Sequence, residues 1–156
     1  MEKLAKSLPK GTGTVVAISR HPLHPMLVTF PIALLICGLA SDMAYLFLSD
    51  DFWARMSLWL LGVGTLMGTL AGTSGAVELL FVAGIRSRAG AWSHFVMGTM
   101  LLAVGFTNWL WRLPDAASAI LPLGIYLSFL GVLLVAITGW LGGKLVFEDE
   151  VGIHQE

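Results

Sequence analysis

Two histidines, His24 and His94, have the strongest claim to chemistry in this chain, because each sits at the mouth of, or inside, a long apolar run. An ionisable group at membrane depth costs about 2.5 kcal/mol or more to insert and normally faces a bundle interior. Two imidazoles from different helices of a four-helix bundle are the donor set that clamps a b-type haem, one nitrogen to each face of the iron. Neutral imidazole also binds zinc or non-haem iron, and His24, His94 and Glu78 together make a two-histidine, one-carboxylate metal set. In the haem reading Glu78 orients one imidazole through its second nitrogen, and Lys144 pairs with a propionate. A cofactor-free reading uses the same residues: His24, just before Pro25, satisfies amides at a helix start, and His94 bonds to Glu78. Pro31 frees the carbonyl of Leu27, and Thr29 is the nearest hydroxyl able to serve it, which makes Thr29 a supporting residue of the site. His21 and His154 read as solvated, and Met97 and Met100 as packing residues.

A second polar group lies farther along the same runs. His24 and Asp42 are 18 residues apart, about five turns of helix, and His94 and Asn108 are nearly in phase. Asp42, Asn108 and Arg112 therefore form a cluster near the opposite end of the bundle, where Asp42 caps or pairs with the Asn or the Arg.

The elements that must position these groups follow from hydropathy. Of the 156 residues 56% are hydrophobic and 12% charged, against roughly 25% charged in a soluble domain, so half of the usual solvated surface is missing. Apolar runs at about 24–48, 53–83, 90–111 and 118–147 each reach the roughly 20 residues needed to cross hydrocarbon. The links at 49–51, 84–88 and 113–116 are short and polar, so successive spans run antiparallel. The expected fold is all-α: an integral-membrane, up-down-up-down four-helix bundle over residues 21–148, between an N-terminal tail (1–20) and a C-terminal tail (149–156). The N-terminal tail reads as solvated or as a short interfacial segment, with Leu4 and Leu8 one turn apart among Lys3, Lys6 and Lys10. Lys3, Lys6, Lys10, Arg20, Arg86, Arg88 and Lys144 fall on the face holding both termini, and only Arg55 and Arg112 on the other, so the positive-inside rule makes the termini cytoplasmic.

Gly64, Gly68 and Gly72 repeat every four residues on the second span, a small-residue surface for close packing within the bundle or against a second copy, that is, a homodimer. The lone Cys37 precludes an internal disulfide. A net charge of −1 offers no basic footprint for nucleic acid. Walker, GxGxxG, GxSxG, HExxH and CxxC motifs are all missing, which withdraws the usual support for nucleotide, hydrolase and c-type haem chemistry.

The run RHPLHPMLVTFPIALLICGLASDMAYL, the histidine of WSHFVMGTMLLAVGFTNWLW and the closing GWLGGKLVFEDEVGI resemble a bacterial membrane family catalogued as domain of unknown function 2231, over about residues 20–153. The resemblance implies four membrane helices in the bacterial inner membrane. Relatives joined to Rieske iron–sulfur domains, or near dehydrogenases, imply respiratory electron transfer, with a redox partner or quinone. His24, Asp42, Glu78 (often Asp in relatives) and His94 stand at matching places. Thr29 and Asp149 stand where relatives often carry histidine, so a site needing those imidazoles is incomplete here. The resulting expectation is a haem b electron-transfer protein or redox-complex subunit on His24 and His94. A zinc or iron protein on His24, His94 and Glu78 is the first alternative, and a cofactor-free anchor or assembly subunit the second.

Overall fold

A computed structural model describes residues 12–19 and 21–152. Four of its helices are long and apolar enough to cross a membrane: Leu23–Leu48, Asp51–Phe81, Ala89–Arg112 and Ile120–Phe147. The first is two pieces, α1 (Leu23–Leu27) and α2 (Thr29–Leu48). The break at Val28 falls one turn before Pro31, whose ring nitrogen cannot donate back to Leu27. The second span is α3 (Asp51–Phe81) and the third is α5 (Ala89–Arg112), with the short α4 (Ala83–Arg86) between them. The fourth opens as a π-turn over Ile120–Gly124 and continues as α6 (Ile125–Phe147). Leu121 there is extended, as a residue preceding proline prefers to be, and its bond to Pro122 is cis.

Turn chemistry fixes the antiparallel order. Ser49 closes α2 in the left-handed region, its amide donating to the Tyr45 carbonyl at 2.8 Å, and the Asp50 carboxylate accepts from the Phe52 amide at 2.9 Å to open α3. Side chains then meet in falling register: Asp42 with Ser57 and Gly38 with Leu61 between α2 and α3, and Asn108 with Ser128 and His94 with Gly142 between α5 and α6. Helices α2, α3, α5 and α6 form a closed ring of neighbours, α6 returning to α2.

The bundle is turned inside out relative to a soluble one. The side chains most completely buried include Arg112, Asn108, Thr65, Asp42 and Ser57, whereas Phe47, Trp59, Phe81, Trp140 and Phe147 face outward. Lipid accepts those large apolar groups, and inside the bundle polar and small residues that pack and bond across helices share the space with three small apolar clusters, around Leu79, Leu61 and Ile120. The glycine stripe is used inside the bundle: a Cβ at Gly64 would stand 3.0 Å from Leu34, and one at Gly68 3.0 Å from Leu102 and 3.4 Å from Pro31. Gly72 likewise meets Leu102. The stripe therefore seats α3 between α2 and α5 of its own chain.

The N-terminal tail, expected to be solvated or interfacial, is a strap from Thr12 onward. Thr12 pairs with Val151 of the C-terminal segment, and the Gly152 amide donates to the Thr12 carbonyl at 3.1 Å. A two-residue hairpin, β1 (Ala17–Ile18) with β2 (His21–Pro22), then leads into α1. The strap gains its order from backbone partners, which side-chain pattern does not announce. Lys3, Lys6, Lys10, Arg20 and His154 lie outside the described residues.

Candidate functional site

His24, in α1, and His94, on α5, meet at the end of the bundle that carries the strap. Their ring centroids are 5.8 Å apart and their planes nearly perpendicular. His24 Nδ1 lies 2.8 Å from the Ala71 carbonyl oxygen on α3, and His94 Nδ1 lies 3.0 Å from the Thr138 carbonyl oxygen on α6. A carbonyl oxygen only accepts, so both Nδ1 atoms carry the proton, and in the neutral rings both Nε2 atoms keep their lone pairs. A backbone carbonyl on Nδ1 is also the partner that orients metal-bound imidazoles and raises their basicity. Two glycines make the seats. A Cβ at Gly75 would stand 2.9 Å from His24 Nδ1, and one at Gly142 3.0 Å from His94 Cε1. A side chain at either position would collide with a ring.

The spacing bears on what the pair can hold. Imidazoles on opposite sides of one metal, each nitrogen about 2.0–2.1 Å from it, put their centroids roughly 6.3 Å apart. At 5.8 Å the rings lie inside that limit, so their separation suits one ion held at a bent angle with further coordination positions open. The trans pair of a haem needs the full extension, with the macrocycle spread sideways between the rings.

Glu78 makes no hydrogen bond to either imidazole. Its carboxylate accepts from the Thr14 hydroxyl, from the Val15 amide at 3.0 Å and from the Val16 amide at 2.7 Å. Among the described residues no group of three or more His, Cys, Asp or Glu side chains is placed to hold a metal ion, so the expected His24, His94 and Glu78 triad is not assembled. Thr29 is also placed otherwise: its hydroxyl donates to the Met26 carbonyl at 3.0 Å, one residue short of the carbonyl that Pro31 frees, and it is exposed. Lys144 stands 3.8 Å from Glu148 on the exposed side of α6. The ion pair between Arg88 and Asp149, at 2.5 Å, ties the start of α5 to the C-terminal segment.

At the far end Asp42, Ser57, Asn108, Arg112 and Ser128 form a single network with one or more members on each span. Arg112 grips Asp42 with both terminal nitrogens, at 2.5 and 2.8 Å, and its Nε donates to the Asn108 oxygen at 3.0 Å. Ser57 and Ser128 donate to the two carboxylate oxygens at 2.5 and 2.6 Å. Asn108 Nδ2 donates to the Ser128 hydroxyl at 2.9 Å. Asp42 and Arg112 are 0% exposed. A carboxylate that accepts from a bidentate guanidinium and two hydroxyls has no lone pair directed at a ligand, and the network is a structural clamp. The reach of Asn108 and Arg112 was readable from helical phase, whereas Ser57 and Ser128 are ordinary small residues in the sequence and carried no signal.

The family described as "Predicted membrane protein (DUF2231)" matches residues 20–155, and the chain belongs to it. No curated protein and no solved structure matches the chain.

Proposed function

We propose that this member of the family is a metal-binding membrane protein in which His24 and His94 share one transition-metal ion through their Nε2 atoms. The observation that carries the proposal is the tautomer lock: two rings 5.8 Å apart, each with Nδ1 bonded to a main-chain carbonyl. Imidazole suits zinc, iron, copper and nickel, and two protein ligands leave open positions for water or a small exogenous ligand. With iron or copper bound, the centre would exchange single electrons, which keeps the electron-transfer reading alive without haem. The shortfall from full extension supports the small ion over a haem. A cofactor-free anchor finds its support elsewhere, in a clamp and a Glu78 carboxylate that are satisfied within the chain.

The proposal includes an orientation. Arg86, Arg88 and Lys144 lie at the end with the strap, and Lys3, Lys6, Lys10 and Arg20 precede the first span in sequence. Arg112 is sealed inside the clamp, which among the described residues leaves the exposed Arg55 to weigh on the far side. The imidazole pair then lies toward the cytoplasmic face of a bacterial inner membrane.

Elemental analysis and an optical spectrum of the protein purified in detergent test the reading. About one metal ion per chain, lost in both His24→Ala and His94→Ala, supports it. A Soret band with a reduced alpha band would establish haem and remove the small-ion centre. No metal as purified, together with no uptake of added zinc or cobalt, would leave the anchor.

A further inference from the structure

The geometry points to Glu78 as the positioning residue of His24, acting through the strap rather than by contact with the ring. A closed circuit of hydrogen bonds begins and ends on α3. The Glu78 carboxylate accepts from the Val16 amide at 2.7 Å, and the Val16 carbonyl accepts from the Leu23 amide at 3.0 Å. The next residue is His24, whose Nδ1 returns to the Ala71 carbonyl at 2.8 Å. Ala71 and Glu78 are seven residues apart, about two turns of one helix, so they share a face. One side of α3 therefore holds the imidazole at Ala71 and the segment leading to it at Glu78.

The circuit explains two features that the bundle alone does not. First, Glu78 is a buried carboxylate, 8% exposed, whose partners among the described residues are a hydroxyl and two backbone amides rather than a cation. Charge-assisted bonds to N–H groups are roughly twice as strong as neutral ones, which suits a latch on a segment whose Val15 and Ile18 stay exposed rather than packed into the bundle. Second, α1 is only five residues long and makes no side-chain cap at its start, where Pro22 lacks an N–H. Such a helix does not hold a ring by itself. The strap supplies the anchor: its hairpin pairs Ala17 with Pro22 and Ile18 with His21, and Thr12 is fastened to Val151. The Ala71 carbonyl also accepts from the Ser74 hydroxyl at 2.7 Å, so it stands ready for the ring in fixed orientation.

Loss of the latch should loosen His24 and leave His94 in place, because His94 is carried on the long α5 and bonds to Thr138 on α6. The inference rests on the metal-site reading for its consequence in binding, but its physical core is the setting of one imidazole, and that is measured separately. Imidazole nitrogen-15 chemical shifts report the Nδ1–H tautomer of each histidine in the metal-free protein. In Glu78→Ala the His24 signals should move toward the values of a ring averaging between tautomers while those of His94 stay put. Cobalt or zinc affinity should fall at least tenfold. Glu78→Gln, which keeps one acceptor oxygen where the donors converge, should lie between. If Glu78→Ala does not fold, Thr14→Val removes one donor without touching α3 and should shift His24 in the same direction by less. Unchanged His24 signals in a folded Glu78→Ala protein would overturn the inference. If the His24 signals move but neither histidine variant of the preceding section alters metal content, the positioning role stands and the metal site falls.

Discussion

Removing Arg112 should be the most damaging single substitution in this chain, and the structure sets the scale. Its guanidinium makes five hydrogen bonds: two to Asp42 and one each to Asn108, Ser57 and Ser128. In Arg112→Ala the Asp42 carboxylate loses the guanidinium and keeps only the two serine hydroxyls beside it. Breaking a buried ion pair by deleting one partner costs about 3–5 kcal/mol, mainly the energy of the charge left behind. That is roughly two to nearly four orders of magnitude in the folding constant. Reversible unfolding by SDS in mixed micelles, followed by tryptophan fluorescence, reads the loss directly. A second variant gives the mechanism its sharper test. Asp42→Leu combined with Arg112→Met removes both charges while keeping volume, so it should recover at least half of the loss, since an apolar pair of similar size is often neutral against a buried ion pair. A single-variant cost under about 1 kcal/mol would refute the reasoning. So would a double variant as damaged as the sum of its parts, because the damage would then come from packing rather than from an orphaned charge.

Two glycines should respond oppositely to alanine. At Gly62 a Cβ would lie 2.5 Å from Trp109 Nε1, so Gly62→Ala must move a large ring and should lose about 1–3 kcal/mol. At the buried Gly131 on α6 nothing stands within 4 Å of the same atom, so Gly131→Ala should gain up to about 1 kcal/mol from helix propensity. The same micelle titration reads both. In the loop after α5, hydrogen bonds from Ser118 and Ala117 hold the Asp115 carboxyl below the usual carboxylate range. A depressed value means that the loop's stabilisation is complete above the ordinary carboxylate range and is lost as pH falls through the lowered one. Amide exchange at Ala117 and Ser118 should therefore accelerate in acid, and Asp115→Asn should flatten that dependence.

The spans were legible because lipid leaves few alternatives: a run of twenty or more apolar residues has to satisfy its backbone internally, and a helix does so. Their ends were less so. The fourth run begins to the eye at about residue 118, but Pro122 holds Leu121 extended and the regular helix starts at Ile125. Helical phase placed Asp42, Asn108 and Arg112 together, since ionisable residues in apolar helices face one another. The partnership of Glu78 was illegible for the converse reason: two of its three donors are the amides of Val15 and Val16, and every residue except proline offers an amide. The tail read as solvated or interfacial because its apolar patch at 15–18 is very short, and nothing local showed that Thr12 would pair with Val151, almost the whole chain away. The glycine repeat announced close packing, but spacing alone does not tell a helix of the same chain from one of another.

The clamp also constrains how the protein can be made. Its two charges are 70 residues apart along the chain, so at about 5–20 residues per second the carboxylate emerges roughly 4–14 s before its guanidinium. Through that interval the first span must wait in or beside the insertion machinery with an acid that lipid rejects, with Ser57 the first member of the network to join it. The third span carries an equally unwelcome cation, and each makes the other tolerable only once both are present. Entry of these helices into the bilayer is therefore a joint event, and a nascent chain truncated before residue 112 should remain beside the insertion machinery rather than pass into lipid.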